Sequence, residues 1–263
     1  MAKSFPCRAA GEPVFACPYS VPFVCPYSVL YMVLPLSLLM PTSLPAREIV
    51  VLLHGLCRTA RSMRPMQRAL EAAGFEVLNV DYPSREALIE RLSEQVVGQA
   101  LADCRARGAG TVHFVTHSLG GILVRQYAVR HPEAITGRVV MLGPPNQGSE
   151  VVDRLGGWKL FSFLNGPAGR QLGTTKDGIP GGLGPVRLCL GVIAGSRSIN
   201  WINSLIIPGP DDGKVSVKRT KVAGMSDHLV VATTHPLMMR NHEVIAQTIE
   251  FLRHGRFRAQ APP

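Results

Sequence analysis

The chain has 263 residues, 46% hydrophobic and 17% charged, which excludes a disordered protein and allows one domain with a sizeable core. Its formal charge is +10, but lysine and arginine are scattered, with no basic run interleaved with aromatics, which argues against nucleic acid as a partner. The basic balance suits peripheral contact with an anionic membrane surface, or solubility alone.

Residues 1–46 differ in composition from the rest of the chain. They carry prolines at 6, 13, 18, 22, 26, 35, 41 and 45, and the phrase Cys-Pro-Tyr-Ser-Val occurs at both 17–21 and 25–29. The apolar stretch Val29 to Met40 is short and broken by Pro35, too little for a transmembrane helix. Lys3 and Arg8 precede it and Ser43 to Ala46 could neighbour a cleavage site, as in a signal peptide with a long first region. A disordered or membrane-touching extension fits the same residues, so cytoplasmic and exported locations both stay open.

From residue 47 strands and helices alternate, and the spacing predicts one domain over 47–257 with a tail at 258–263. The uninterrupted apolar run Ile49 to Leu53 reads as a strand buried on both faces, as parallel sheets require. It ends in His54-Gly55-Leu56, where a glycine lets the backbone turn sharply. An amphipathic segment at Met63–Ala73 closes at Gly74, as a helix followed by glycine should. Phe75–Val80 is the next strand. A helix comes next over about Arg85–Arg107, with Leu88, Leu92, Val96 and Leu101 near helical spacing. Thr111–Thr116 is a strand, Leu119 to about His131 a helix, Arg138–Leu142 a strand, and Leu190–Ala194 another. The pattern predicts an α/β fold with a doubly wound, mostly parallel sheet and right-handed crossovers. Residues 144–188, rich in glycine and proline and holding Trp158, Phe161 and Phe163, interrupt the rhythm as a cap-like insertion or a loop packed by its own aromatics.

The stretch Thr116-His117-Ser118-Leu119-Gly120-Gly121 joins a strand directly to a helix. A serine on that turn has its hydroxyl pushed above the sheet edge, the geometry of a nucleophile elbow. The usual pattern is Gly-x-Ser-x-Gly, and Thr116 stands at the first glycine. A catalytic serine needs a base, an orienter for that base and donors for an oxyanion. Upstream, the Leu56 amide beyond Gly55 can pair with the Leu119 amide as those donors. Downstream, Asp211 and Asp212 occupy a Pro/Gly-rich turn; Asp212 is favoured because it directly precedes Gly213. The same turn is too short between glycines, and too acidic, to be a phosphate loop. The histidines beyond it are His228, His235, His242 and His254. His235 is favoured as the base because it joins the run Leu229–Thr234 to a final helix, with His228 as runner-up. His242-Glu243 is not part of a His-Glu-x-x-His motif.

The cysteines are Cys7, Cys17, Cys25, Cys57, Cys104 and Cys189, none in a C-x-x-C arrangement, so neither a disulfide framework nor a metal site is expected. Cys57 reads as a small buried residue. No cofactor is expected.

His54-Gly55, Thr116 to Gly121, Pro145 to Ser149, Asp212 to Val217 and Thr234 to Met239 together resemble a bacterial α/β-hydrolase, in its small lipase/esterase-like branch. The resemblance runs from about Arg47 to Phe257. It implies Ser118 as nucleophile, Asp212 as acid, His235 as base, and Leu56 and Leu119 as oxyanion amides. The implied reaction is carboxylic ester hydrolysis through an acyl-enzyme, on a small-molecule or lipid ester. No long lid of an interfacially activated lipase is evident. Acyl transfer would use the same residues. A non-catalytic binding protein on the same fold is the competing reading, and a complete candidate triad argues against it. Nothing in the sequence sets the oligomeric state, and no residues are singled out for substrate binding.

Overall fold

The computed structural model describes residues 47–156, 159–175, 178–199 and 201–259. Residues 1–46, with the apolar stretch Val29 to Met40, and Trp158 lie outside the described residues.

Six strands form one sheet: β1 (Arg47–Leu53), β2 (Glu76–Val80), β3 (Ala109–His117), β4 (Val139–Leu142), β5 (Leu190–Gly195) and β6 (Asp227–Val231). Their order is β2-β1-β3-β4-β5-β6, and every neighbouring pair is parallel. Parallel neighbours need crossovers, and the helices supply them on both faces. Along β1, alternate residues serve opposite cores. Ile49, Val51 and Leu53 join Phe114, Leu119 and Leu123 on one side. Val50 and Leu52 join Met66, Leu70, Val115 and Phe251 on the other. Ile49 to Leu53, five of the seven residues of β1, are fully buried, each apolar side chain contributing about 1.5–3 kcal/mol. The sheet changes winding direction between β1 and β3, so a crevice opens at the carboxyl ends of those two strands.

Helix α1 (Arg64–Ala72) buries Met66 and Leu70, and Gly74 beyond it has φ 92°, as the sharp stop requires. The long helix expected from Arg85 begins only at Ile89. Its first turn, α2 (Ile89–Leu92), passes through a π-helical turn, Ser93–Val97, into α3 (Gly98–Ala106). The extra residue of the π turn accounts for the five-residue step from Val96 to Leu101, both buried, which a regular α-helix would not bring to one face. Leu88, outside the helix, is half exposed. Helix α4 (Leu119–Arg130) starts immediately after β3 and is buried from Leu119 through Tyr127.

The insertion at 144–188 carries α5 (Glu150–Leu155), α6 (Lys159–Arg170) and α7 (Ile179–Gly182). Helix α6 breaks at Gly166 (φ 66°, ψ −171°), next to Pro167, where the chain lies against the Arg85 backbone too closely for any Cβ. Phe163 is mostly exposed there, so it does not pack the segment from within. After β5 come α8 (Trp201–Ile206) and α9 (Val217–Thr220). The stretch Asp212 to Val217, which also fits an extended segment, instead makes a single antiparallel bridge between Asp211 and Ser216 and enters α9. β6 is followed by a 3-10 helix, His235–Arg240, and by α10 (His242–His254).

Cys189 is disulfide-bonded, which corrects the expectation of no disulfide. A cross-link between cysteines outside any C-x-x-C pattern leaves no local signature to read. Cys57 and Cys104 are not disulfide-bonded. Among the described residues no group of three or more His, Cys, Asp or Glu is arranged to hold a metal ion, and no helix is long and apolar enough to cross a membrane.

Candidate active site

Ser118 stands between the last residue of β3 and the first of α4 with φ 51° and ψ −117°. A non-glycine residue at positive φ is strained, and two such residues occur among the described ones, Cys57 and Ser118. Several contacts hold the serine in this conformation. Its amide donates to the Leu142 carbonyl at 2.9 Å, tying the elbow to β4. A Cβ on Gly120 would come within 2.8 Å of the Leu53 carbonyl, and one on Gly121 within 3.0 Å of the Met141 sulfur. Both glycines are what allow α4 to start so close to the sheet. Thr116 is tolerated at the first elbow position because Gly121 stands opposite it, a Cβ there lying 3.2 Å from Thr116 Oγ1. The threonine is fully buried, and its hydroxyl has no hydrogen-bond partner among the described residues.

The chain after β1 lies beside the elbow. A Cβ on Gly55 would meet the His117 ring at 2.6 Å and Ser118 Cβ at 3.2 Å. His54 is fully buried and stacks on Tyr82, with ring centroids 4.1 Å apart. The Tyr82 hydroxyl donates to the His54 carbonyl at 2.5 Å, and burial lowers the His54 pKa. This packing fixes the turn from which the Leu56 amide emerges. Leu119 opens α4, so its amide has no carbonyl acceptor within the helix. Cys57, expected to be buried, is exposed: the positive φ of 56° turns it out at the end of this loop, and its amide donates to Ser84 Oγ at 3.1 Å.

Asp212 is 1% exposed and fully engaged. One carboxylate oxygen accepts the Lys214 and Val215 amides at 3.0 and 2.9 Å. The other accepts from His235 Nδ1 at 2.7 Å. The His235 amide also donates to the Asp212 carbonyl at 2.9 Å, so the pair is joined twice. Asp211 faces elsewhere, accepting from Ser204 Oγ and the Gly213 amide. His228 bonds to Thr220 Oγ1 at 3.0 Å instead, and burial lowers its pKa to about 4. His242 and His254 bound α10 and are exposed. With Nδ1–H given to Asp212, His235 keeps its Nε2 lone pair for another donor.

Ser118 and His235 line one cavity of about 410 Å³. Leu56, Val215 and, from the insertion, Pro145, Val151, Val152 and Leu172 supply its apolar wall.

Two residues of this arrangement are not evident from the sequence. His117 Nε2 donates to the His235 carbonyl at 3.0 Å, and the two rings lie 4.6 Å apart. Burial holds the His117 pKa well below the usual histidine value, so it buttresses as a neutral ring. Its place next to Ser118 is the one signal that could have found it. Gly143, with φ 55°, comes directly after β4; a Cβ there would lie 2.9 Å from Asp212 Oδ2 and 3.0 Å from His235 Nδ1. Only a glycine lets that turn cover the carboxylate–imidazole pair.

Solved structures share this architecture. The mature form of the Bacillus licheniformis lipase BlEst2 is similar with a TM-score of 0.61 and 19% identity, over 74% of this chain and 88% of that one. The metagenomic carboxyl esterase MGS0156 gives 0.56 and 17%, over 72% and 64%. Aspergillus fumigatus lipase B gives 0.58 and 16%, over 79% and 53%. At such identities the likeness is one of fold. No curated protein sequence matches the chain. The sequence model of the alpha/beta hydrolase family matches residues 50–202, more than half of the chain, running from β1 through the elbow and the insertion to β5, and the protein is a member of that family.

Proposed function

We propose that the protein is a serine hydrolase that cleaves carboxylic esters through an acyl-enzyme. The observation that carries this reading is the 2.7 Å bond between buried Asp212 and His235 Nδ1, in a cavity that His235 shares with Ser118 on its strained elbow. Ser118 attacks the ester carbonyl while His235 Nε2 takes its proton. The Leu56 and Leu119 amides receive the oxyanion. His235 then returns the proton to the leaving alcohol, and water repeats the sequence in reverse roles to free the acid. Asp212 holds the tautomer and stabilises the imidazolium without itself becoming protonated. The insertion at 144–188 acts as a small cap whose apolar residues receive the acyl chain. Lipases and esterases among the structural neighbours support this choice of bond.

A fluorophosphonate probe tests the reading directly. It should label the wild-type chain at Ser118 and leave folded Ser118→Ala unlabelled. The same variant should lose on the order of 10⁶ in kcat on a p-nitrophenyl ester. Retention of more than a few per cent of wild-type turnover by purified Ser118→Ala would rule out Ser118 as the nucleophile.

A further inference from the structure

The cavity that holds Ser118 and His235 has walls of two kinds. Among the described residues that line it, Arg58 and Lys214 are the charged ones, and none is a carboxylate. Among the described residues neither cation makes an ion pair. Arg58 is half-buried and its pKa is lowered by desolvation, so its charge is partly withdrawn from water without a counter-charge. Lys214 is exposed at the rim, on the turn whose amides hold Asp212. The positive field converges: Arg85, Lys214 and Arg58 all act on the Cys57 thiol at the cavity mouth. Cys57 and Arg58 also line the adjoining groove, about 690 Å³, together with Arg85, Asp81 and Glu86. Asp81 is engaged there, accepting the Ala60 amide at 2.8 Å and facing His54. The inner cavity is therefore the cationic one. An anion drawn into it would gain charge-assisted hydrogen bonds from Arg58 and Lys214, which have no carboxylate partner among the described residues.

We propose that the ester taken by this cavity joins an apolar acyl chain to an alcohol that bears an anionic group, phosphate or carboxylate, seated against Arg58 and Lys214. The proposal rests on the reading of Ser118 as nucleophile. The acyl chain lies along Val151, Val152 and Leu172, and the anion sits a few bonds from the leaving oxygen, toward the mouth.

The test uses the full chain and two matched pairs of octanoyl esters. One pair is 1-octanoylglycerol and its 3-phosphate; the other is the octanoyl ester of glycolate and that of glycolamide. In at least one pair kcat/KM should favour the charged ester by about tenfold, equivalent to about 1.4 kcal/mol, and the pair that does so identifies the anion. Arg58→Gln and Lys214→Gln should each lower that charged-to-neutral ratio, as should about 0.5 M salt, which shortens the reach of the field. No preference in either pair, or a preference that both substitutions leave intact, overturns the proposal while fluorophosphonate labelling of Ser118 still upholds the hydrolase reading. Absence of labelling overturns both.

Discussion

Asp211 and Asp212 are adjacent, both buried, and do unlike things, because successive residues in a turn point in different directions. Asp211 spends an oxygen on Ser204 and Gly213, stabilising its own turn. Asp212 receives two amides on one oxygen and His235 on the other. An asparagine at 212 can still accept the two amides, but with its amide nitrogen toward the ring it would favour the wrong imidazole tautomer. Asp212→Asn should therefore lower kcat by roughly 10⁴, the loss seen when a comparable triad's carboxylate is changed. Asp211→Asn should cost far less, since its partners are a hydroxyl and a backbone amide that a carbonyl oxygen also satisfies. Steady-state rates of the two purified variants on one ester decide the matter. Equal losses, or a larger loss at 211, would move the orienting role to Asp211.

Between β1, β3 and α4 the fit is controlled by which side chains are missing. Gly120 faces the Leu53 and His54 carbonyls, so Gly120→Ala forces backbone apart and should destabilise by about 1–3 kcal/mol. Thr116 is the opposite case. Its buried hydroxyl has no partner among the described residues, and valine has nearly its shape, so Thr116→Val removes an unmet polar group at little steric cost. Thermal melts should show Thr116→Val higher than wild type, by about 2–4 °C for each kcal/mol gained in a domain of this size, and Gly120→Ala lower. A lower melting temperature for Thr116→Val would mean that the hydroxyl is satisfied after all. These same elements set what could be read from the sequence. The strands were legible because Ile49 to Leu53 and Leu190 to Ala194 are apolar on both faces, and the elbow because strand, serine and glycines are contiguous. The π turn at Ser93–Val97 was not, since a single five-residue step among Leu88, Leu92, Val96 and Leu101 still reads as one helix. The contacts of His117 and Gly143 with the Asp212–His235 pair were not legible either. Gly143 is 69 residues from Asp212 in the chain, and the fold alone joins them.

Across the whole molecule, folding hides imidazoles from water. Burial is the largest cause of a lowered pKa at His54, His113, His117 and His228, the last reaching about 4. Each is neutral in the folded state, whereas the unfolded chain returns it to about 6.5. Above that value neither state binds the proton and the full stability is present. As pH falls below it, the unfolded chain binds protons that the folded chain refuses, and stability drops progressively toward each folded pKa. The melting temperature should accordingly be flat from about pH 8 to 7 and fall between about pH 6.5 and 5, before the bulk of the carboxylates titrate. His228 allows this to be assigned to one residue, because it lies on β6 with Thr220 as its partner and does not line the cavity of Ser118. His228→Gln keeps a side-chain donor for Thr220 and removes the titration. It should therefore flatten part of the slope between pH 6.5 and 5. Calorimetry on both proteins across that window checks the argument. A wild-type melting temperature that stays level down to pH 5, or a His228→Gln slope equal to wild type's, would show that these rings are not held neutral by the fold.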